Sequence, residues 1–251
     1  MSRILFLCSG NTCRSPMAAG IAARIFGGSH TVRSAGAETG SDQPAAANAI
    51  KVMAEEFQID ISGHRTVSVD DLNLVVFDII VIFRPSAAER VSIPQTVYVT
   101  YLDVEDPYCG DLDRYRMAAR LIERGVRRIY IEDGLRRVSS GELPPSSHLS
   151  GIFTRAAKEC EQEVARFVHD ELGQPVQPKA TLGRLAESIS EAKTQDTPMN
   201  LTDLSSAIAT VNNVWVRVKH HSDPPAQDIV RGLTTLRRVF ELLERKPAEG
   251  P

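Results

Sequence analysis

The chain has few cysteines, few aromatic residues and little net charge for its 251 residues. The four cysteines form neither a paired-cysteine metal pattern nor a small disulfide framework. A formal net charge of −3 provides no electrostatic basis for binding nucleic acid or an anionic membrane. No apolar run reaches the length of a membrane span, and the first predicted strand follows the initial Met-Ser-Arg without room for a signal peptide. We therefore expect a cytoplasmic protein with reduced thiols.

Residues 8–15, with the sequence CSGNTCRS, combine a thiol, a glycine, a guanidinium and hydroxyls between a predicted buried strand and a predicted helix. Such a loop can curl until its backbone N–H groups point at one centre, which then binds a dianion at the helix N-terminus. Arg14 adds a planar pair of donors that matches two phosphate oxygens. The same positive field favours the thiolate of Cys8. The segment therefore predicts a phosphate site with a nucleophile at its base.

A simpler interpretation of Cys8 stays open at this point, because a cysteine near the end of a buried strand is often only a small apolar residue. The spacing between Cys8 and Arg14 does not by itself separate the two interpretations. The neighbouring Gly10, Asn11 and Ser15, together with the strand before them and the helix after them, favour the phosphate site.

Strand patterns alternate with helix patterns over the first half of the chain. Buried strands are predicted at residues 3–7, 31–35, 78–83 and 96–102. Helices are predicted at residues 15–26, 44–57 and 111–137. This alternation predicts an α/β domain over residues 1–138, with a four-stranded parallel sheet and helices on both faces. Ligands bind such sheets beyond the carboxyl ends of the strands, where Cys8 is expected to lie.

The composition changes near residue 139. Residues 139–147 are rich in serine, proline and glycine and predict a linker. Helical patterns follow near residues 148–172, 180–193, 200–219 and 226–245, which predicts a mostly α-helical domain of unknown role over residues 148–246. The last helix carries an apolar stripe that is typical of a core, and a partner-binding helix is the alternative.

This C-terminal part contains no catalytic motif. Its only metal-like cluster is formed by His220, His221 and Asp223. A solvated helix end is the favoured interpretation of that cluster, and we expect no metal.

A second candidate site residue, Asp106, lies in the loop before the helix at residues 111–137. Attack of a thiolate on a phosphate needs a proton for the leaving group, and a carboxylic acid can supply it. Pro107 restricts Asp106 to an extended conformation, and Gly110 lets the loop turn. Because Asp-Pro pairs are common in loops, this pair on its own indicates catalysis only weakly.

Residues 8–15 resemble the signature loop of the low-molecular-weight phosphatases, a family that includes protein-tyrosine and protein-arginine phosphatases and certain arsenate reductases. The resemblance extends over roughly residues 1–135, because the Asp-Pro-aromatic sequence at residues 106–108 matches the acid loop of the family. It implies a cysteine-dependent hydrolase that needs no cofactor and acts on phosphorylated proteins through a phosphocysteine intermediate.

The resemblance also implies a role for each matching residue. Cys8 is the nucleophile, Arg14 binds the phosphate, and Asp106 protonates the leaving atom and then activates the hydrolytic water. Ser15 stabilises the thiolate as a leaving group, and Asn11 holds the loop in a strained shape. The implied phosphate-binding residues are Ser9, Gly10, Asn11, Thr12, Cys13 and Ser15.

Three further residues match positions around the loop of the family. By resemblance, Ser34 and His64 brace the loop through Asn11 and Ser15. Cys13 corresponds to a companion cysteine, which could form a reversible disulfide with the nucleophile and so spare it from irreversible oxidation. A small buried residue is the alternative for Cys13.

The resemblance ties the substrate class to residue 12. Phosphotyrosine members of the family usually carry a bulky aliphatic residue where this chain has Thr12, whereas protein-arginine phosphatases carry threonine. The loop at residues 37–44 has no aromatic residue to stack on a phenyl ring. Glu38 and Asp106 could offer carboxylates to a guanidinium. A neutral substitution is the alternative interpretation of Thr12.

We therefore predict a phosphatase for protein phosphoarginine, with phosphotyrosine as the alternative. Arsenate reductases of this fold need a further pair of cysteines after the central strand, and residues 83–89 contain none. An arsenate reductase, or a phosphate-binding module without activity, is therefore less favoured. The C-terminal helices could mediate self-association or bind a partner.

Overall fold

The computed structural model describes residues 2–40, 42–140, 146–192, 201–220 and 225–244. The chain forms two compact units, residues 1–126 and residues 127–251. The division falls inside a long helix, α3 (Leu112–Ser139), whereas the predicted domain boundary lies near the end of that helix. Within the second unit, Arg127 of α3 forms an ion pair with Glu159, with 2.7 Å between Nη1 and Oε2.

The first unit is built on a parallel four-stranded sheet with the strand order β2-β1-β3-β4. Its strands are β1 (Ser2–Cys8), β2 (His30–Gly36), β3 (Ile79–Arg84) and β4 (Tyr98–Asp103). The predicted sheet is therefore confirmed. Because β1 and β3 are buried on both faces, they are almost continuously apolar in sequence. Parallel strands end at one edge, and there Cys8 is paired with Gly36 of β2.

One face of the sheet packs against α-helices. Helix α1 (Arg14–Phe26) contacts β1 and β2, and α3 contacts β4 at Gly125. Gly125 of α3 lies directly against Leu102, where a Cβ would collide with the leucine side chain. The contacts of α1 with β1 and β2 hold its N-terminus beside the end of β1.

The opposite face is covered by short 3-10 helices and loops in the described part of the unit. Its buried core contains Leu5, Leu7, Ala35, Val69, Phe77, Ile80, Ile82, Ala88 and Val97. The 3-10 helices are Val69–Asp71, Leu74–Val76 and Ala87–Arg90. The sheet thus has helices on both faces, but only one of the two sets is α-helical.

The helix predicted at residues 44–57 begins later than expected. Helix α2 spans Ala47–Phe57, whereas Pro44 forms an isolated antiparallel bridge with Arg65. Backbone pairing holds the preceding residue extended, because Thr66 N–H donates to the Gln43 carbonyl at 2.8 Å and Thr66 Oγ1 accepts from Gln43 N–H at 2.9 Å. The predicted start of the helix was wrong because these partners are distant in sequence.

The described residues of the second unit after α3 are mainly helical, as predicted. The helices are α4 (Ser146–Asp170), α5 (Leu182–Glu191), α6 (Leu201–His220) and α7 (Ala226–Glu244). Gly232 of α7 approaches Phe153 of α4 and Val214 of α6 so closely that a Cβ would collide with both side chains.

The apolar stripe of α7 belongs to the core. Its members Leu233, Leu236, Val239, Phe240, Leu242 and Leu243 are all buried. Part of the predicted linker, residues 141–145, lies outside the described residues, as do His221 and Asp223 of the metal-like cluster. Among the helices that are described, none combines the length and the apolar character that crossing a membrane requires.

Candidate active site

Cys8 ends β1 at the carboxyl edge of the sheet, and its side chain is buried. Its Sγ lies 3.0 Å from the hydroxyl of Ser15 in the first turn of α1. The Ser15 hydroxyl accepts a hydrogen bond from Asn11 Nδ2 at 2.8 Å, which leaves its own proton for Sγ or for the more distant carbonyl oxygen of Ala35 at 3.4 Å. A thiolate at Cys8 can therefore accept a charge-assisted hydrogen bond from Ser15.

The backbone of residues 8–13 turns most of its carbonyl groups away from the centre of the loop. The carbonyls of Cys8, Ser9, Thr12 and Cys13 accept from the N–H groups of Ala37, Glu38, Ala46 and Met17 at 3.0, 3.0, 2.9 and 3.2 Å. In a planar trans peptide the N–H points opposite to the carbonyl. The N–H groups that follow these carbonyls therefore face the centre.

Helix α1 leaves its own first N–H groups available at the same place. Its N-terminal cap residue, Cys13, makes no capping hydrogen bond with its side chain, and the first turn contains no acidic residue. The first N–H groups of a helix have no partner inside the helix and carry partial positive charge. Loop and helix together form a cradle for an oxyanion beside Cys8.

Asn11 holds this cradle in shape from behind. It is fully buried and has a φ of 52°, a left-handed conformation that asparagine tolerates better than most residues. Its Oδ1 accepts from Val67 N–H at 2.9 Å, which orients the amide so that Nδ2 donates to Ser15 and, at 3.0 Å, to the hydroxyl of Ser34. The side chain thus connects the loop to β2 and to the segment after α2.

His64 supports the loop through the backbone of Asn11. Its Nε2 lies 2.8 Å from the Asn11 carbonyl oxygen, which can only accept, so Nε2 carries a proton. Burial lowers the pKa of His64 below its ordinary value of 6.5, and the hydrogen bond to Asn11 opposes this effect. The neutral ring with its proton on Nε2 is therefore the favoured form.

The Arg14 side chain is buried, with 1% of it exposed. Its Nη1 donates to the carbonyls of Pro85 and Val104, at 2.8 and 3.1 Å, and these residues follow β3 and β4. Its Nη2 donates to Asp106 Oδ2 at 2.6 Å. Nε is buried without a hydrogen-bond partner among the described residues. Because an unpaired buried donor is costly, Nε is suited to an oxyanion in the cradle.

Asp106 lies in a loop whose shape is set locally. Its Oδ1 accepts from Tyr108 N–H at 3.3 Å, and Gly110 N–H closes the turn on the Pro107 carbonyl at 2.8 Å. A Cβ on Gly110 would lie 2.7 Å from Arg114 Cδ and 2.9 Å from that same carbonyl, so the turn requires glycine. The side chain of Asp106 is 42% exposed, so it is open to a substrate from the solvent side.

Cys8 and Asp106 line one cavity of about 260 Å³. The cavity is bounded by Cys8, Ser9, Gly10, Thr12, Cys13, Glu38, Asp106 and Tyr108. The structure thus brings the two ends of the first unit together at one site. Asn11, Ser15, Ser34 and His64 support the cradle from behind rather than lining the cavity.

The sequence model described as low molecular weight phosphotyrosine protein phosphatase matches residues 3–138, which are more than half of the chain. The chain belongs to this family. The phosphatases of this family are hydrolases that act on phosphorylated proteins, and the family also contains arsenate reductases. Residues after 138 lie outside the match.

Individual relatives of this phosphatase family cover about half of the chain. Arsenate reductase 2 of Staphylococcus saprophyticus is 33% identical over 128 residues, which are 51% of this chain and 95% of that protein. A solved low molecular weight protein tyrosine phosphatase from T. tengcongensis is 31% identical, with coverage of 50% and 95% and a TM-score of 0.44. The YwlE arginine phosphatase from Geobacillus stearothermophilus is 25% identical, with coverage of 55% and 97% and a TM-score of 0.48.

Two supporting residues of this phosphatase site were not predicted as site residues. Tyr108 lines the cavity and is 62% exposed; the Asp-Pro-aromatic sequence was the signal that could have found it. Gly36 lies behind the cradle, where a Cβ would be 2.7 Å from the Ser9 carbonyl oxygen. At Gly10, by contrast, the nearest atom would be Thr12 Oγ1 at 3.6 Å, an ordinary contact, so packing does not require this glycine.

Cys13 differs from Cys8 in its surroundings. Its Sγ lies 3.3 Å from the hydroxyl of Tyr115, a buried residue of α3, and 3.6 Å from Thr12 Oγ1. Burial raises the pKa of the Cys13 thiol and also that of Tyr115. Cys13 is therefore held as a neutral thiol at the cavity wall, and a disulfide with Cys8 stays a prediction.

Proposed function

We propose that this protein hydrolyses phosphorylated protein side chains through a phosphocysteine at Cys8, with protein phosphoarginine as the favoured substrate. The observation that carries the proposal is the shared cavity, which is lined both by a buried thiol beside an oxyanion cradle and by a carboxyl group. In this proposal Cys8 is the nucleophile and Asp106 is the acid. No metal or cofactor takes part in the proposed reaction.

The reaction takes two steps. In the first, the Cys8 thiolate attacks phosphorus, and a sulfur–phosphorus bond forms while the bond from phosphorus to the leaving nitrogen or oxygen breaks. Protonated Asp106 gives its proton to that leaving atom. In the second, the Asp106 carboxylate takes a proton from water, whose oxygen attacks phosphorus. The sulfur–phosphorus bond breaks, which returns the Cys8 thiolate, stabilised by Ser15, and releases inorganic phosphate.

Arg14 connects the phosphate cradle to the acid. Its Nη2 donates to the carboxyl group that acts as acid and base, while its unpaired Nε is available to a phosphate oxygen. The two backbone carbonyls that accept from Nη1 fix the plane of the guanidinium. A dianion in the cradle would therefore meet a guanidinium that is already oriented. Because no reorganisation of this donor is needed during the reaction, its hydrogen bonds can stabilise the transition state fully.

Phosphoarginine is favoured because Thr12, Glu38 and Asp106 line the same cavity. Two carboxylates suit a guanidinium leaving group, and a threonine leaves more room than a bulky aliphatic residue. Phosphotyrosine is the second candidate, because Tyr108 supplies an aromatic side chain at the cavity that the loop at residues 37–44 lacks.

Arsenate reduction is less favoured, although at least eight relatives carry that name. Arsenate would fit the same cradle, but its two-electron reduction needs thiols that become oxidised in the same turnover. Residues 83–89 contain no cysteine. Cys109 is exposed in the acid loop, and no described contact joins it to Cys8.

The test compares phosphoarginine and phosphotyrosine peptides on the wild type, Thr12→Ile and Cys8→Ser. We expect the wild type to prefer phosphoarginine and Thr12→Ile to shift that ratio by about tenfold toward phosphotyrosine, the size expected for an added apolar group in a pocket. Thr31→Ile is the matched control, because Thr31 is exposed near the start of β2, far from its carboxyl end.

Two results would contradict the proposal. A burst of product from p-nitrophenyl phosphate that persists in Cys8→Ser would exclude the phosphocysteine. A wild type that prefers phosphotyrosine outright would exclude phosphoarginine as the main substrate. Cytoplasmic location, and self-association or partner binding through residues 148–246, stay predictions.

A further inference from the structure

A second cavity of about 520 Å³ lies on the sheet face that carries the 3-10 helices. Six residues of its lining are apolar, and we call them the floor: Ala37, Val69, Leu72, Leu74, Ala87 and Val91. Its rim is polar and exposed, with Glu38, Asp70, Arg90 and Ser92. We call this cavity the flanking groove. Its volume lies in the range of pockets that hold a ligand or several side chains.

The flanking groove adjoins the catalytic cavity. Glu38 lines both of them. Ser9 of the cradle forms hydrogen bonds with two residues that line the groove. Its carbonyl accepts from Glu38 N–H at 3.0 Å, and its hydroxyl accepts from Ala87 N–H at 3.0 Å. The wall between the two cavities is therefore one hydrogen-bonded layer of residues.

A small phosphate ester does not need the groove, because the catalytic cavity of about 260 Å³ is large enough for it. A polypeptide substrate can occupy both cavities. Because an extended chain advances about 3.4 Å per residue, residues a few positions from the phosphorylated one lie beyond Glu38. The half-buried floor residues Leu72, Leu74 and Val91 offer such a neighbour an apolar contact.

We propose that the flanking groove binds the substrate polypeptide beside the phosphorylated residue, with an apolar side chain of that polypeptide on the groove floor. The inference rests on the proposed function and adds a sequence preference to it. Glu38 then separates the phosphorylated residue from its apolar neighbour. Binding of this kind selects protein substrates over free phosphorylated amino acids.

The experiment uses peptides that carry leucine or serine at each of about three positions on either side of the phosphorylated residue. One set contains phosphoarginine and a second contains phosphotyrosine, so the outcome does not depend on the choice between them. Asp70→Trp and Ser92→Trp fill the groove from its exposed rim, and Asp71→Trp is the matched control because Asp71 is exposed but does not line the groove. The quantity measured is the ratio of kcat/KM for leucine over serine within each variant, so a general loss of activity cancels.

We expect one or two positions at which leucine exceeds serine by about tenfold, the factor that burial of a leucine side chain supplies. The ratio should fall toward one in Asp70→Trp and Ser92→Trp and persist in Asp71→Trp. A ratio near one at every position in the wild type, or one unchanged in both groove variants, would overturn the inference.

A failure of the proposed function is seen separately. If the wild type releases no phosphate from p-nitrophenyl phosphate, the enzyme assignment fails, and the inference is then decided by fluorescence anisotropy of the same labelled peptides. Tighter binding of leucine peptides that both groove variants abolish would support the groove. Equal binding of the leucine and serine peptides would refute it.

Discussion

Replacement of Asn11 by alanine removes the side chain that shapes the phosphate cradle. The substitution deletes three hydrogen bonds, a buried one to Ser15 and partly buried ones to Ser34 and Val67. At about 1 kcal/mol for each bond, these account for about 3 kcal/mol. Alanine at a φ of 52° adds about 1 kcal/mol of backbone strain. Because neighbouring contributions do not add fully, we expect the free energy of unfolding of the first unit to fall by about 3 to 4 kcal/mol.

The matched variant Asn11→Gly separates the two causes. Glycine loses the same hydrogen bonds but adopts a positive φ without strain, at an entropic cost of about 0.4 to 1 kcal/mol in the unfolded chain. Asn11→Gly should therefore be as stable as Asn11→Ala or more stable by up to about 0.6 kcal/mol. Asn73→Ala serves as a surface control, because Asn73 is exposed, has a φ of −81° and only caps a 3-10 helix through Val75 N–H at 3.2 Å.

The assay must report on the first unit. The single tryptophan, Trp215, lies in α6 of the second unit, so its fluorescence is unsuitable. Hydrogen exchange at the Val67 amide is direct, because this N–H donates to Asn11 Oδ1. We expect its exchange to be about 100-fold faster or more in Asn11→Ala. Exchange within threefold of the wild type, or Asn11→Gly less stable than Asn11→Ala, would refute the reasoning.

Two further predictions concern residues that support Cys8. Ser15→Ala removes the hydrogen bond to Sγ, so we expect kcat on p-nitrophenyl phosphate to fall by about 10- to 100-fold, the value of a bond to a charged group, with KM little changed; an unchanged kcat would exclude Ser15 as a donor to the thiolate. Burial lowers the pKa of His64 in the folded protein, so the unfolded protein binds more protons at this residue as the pH falls. The contribution of His64 to the free energy of unfolding is therefore complete above about pH 6.5 and is lost as the pH falls below that value. In urea denaturation, the free energy of unfolding should therefore fall less from pH 8 to pH 5 in His64→Gln, which still offers Asn11 an N–H donor, than in the wild type. An equal fall in both proteins would contradict the neutral form of His64.

Much of the first unit was predictable because its signals are local. The apolar runs of β1 and β3 predicted the buried strands, and the alternation of strands with helices predicted the parallel sheet. The start of α2 was not predictable, because the pairing of Pro44 with Arg65 depends on residues far apart in the chain. The 3-10 cover of one sheet face also lacks a periodic signal, since such helices are only three or four residues long.

The site divides in the same way. Cys8, Arg14 and Ser15 lie within eight consecutive residues, so their chemistry could be inferred from residue types and spacing. The contact of Asp106 with Arg14 spans 92 positions of the chain and needs the strand order to bring it about. The placement of Tyr108 and Glu38 on one cavity has the same cause.

The amino-acid sequence by itself determined that a thiol and a guanidinium stand at the junction of a strand and a helix, because that junction is a local structure. Only the tertiary structure decided which groups surround them. Parallel strands end at one edge of the sheet, and this edge gathers the loops after β1, β2, β3 and β4 around Cys8. It also sets the flanking groove beside the catalytic cavity, because Ser9 is bonded to both Glu38 and Ala87.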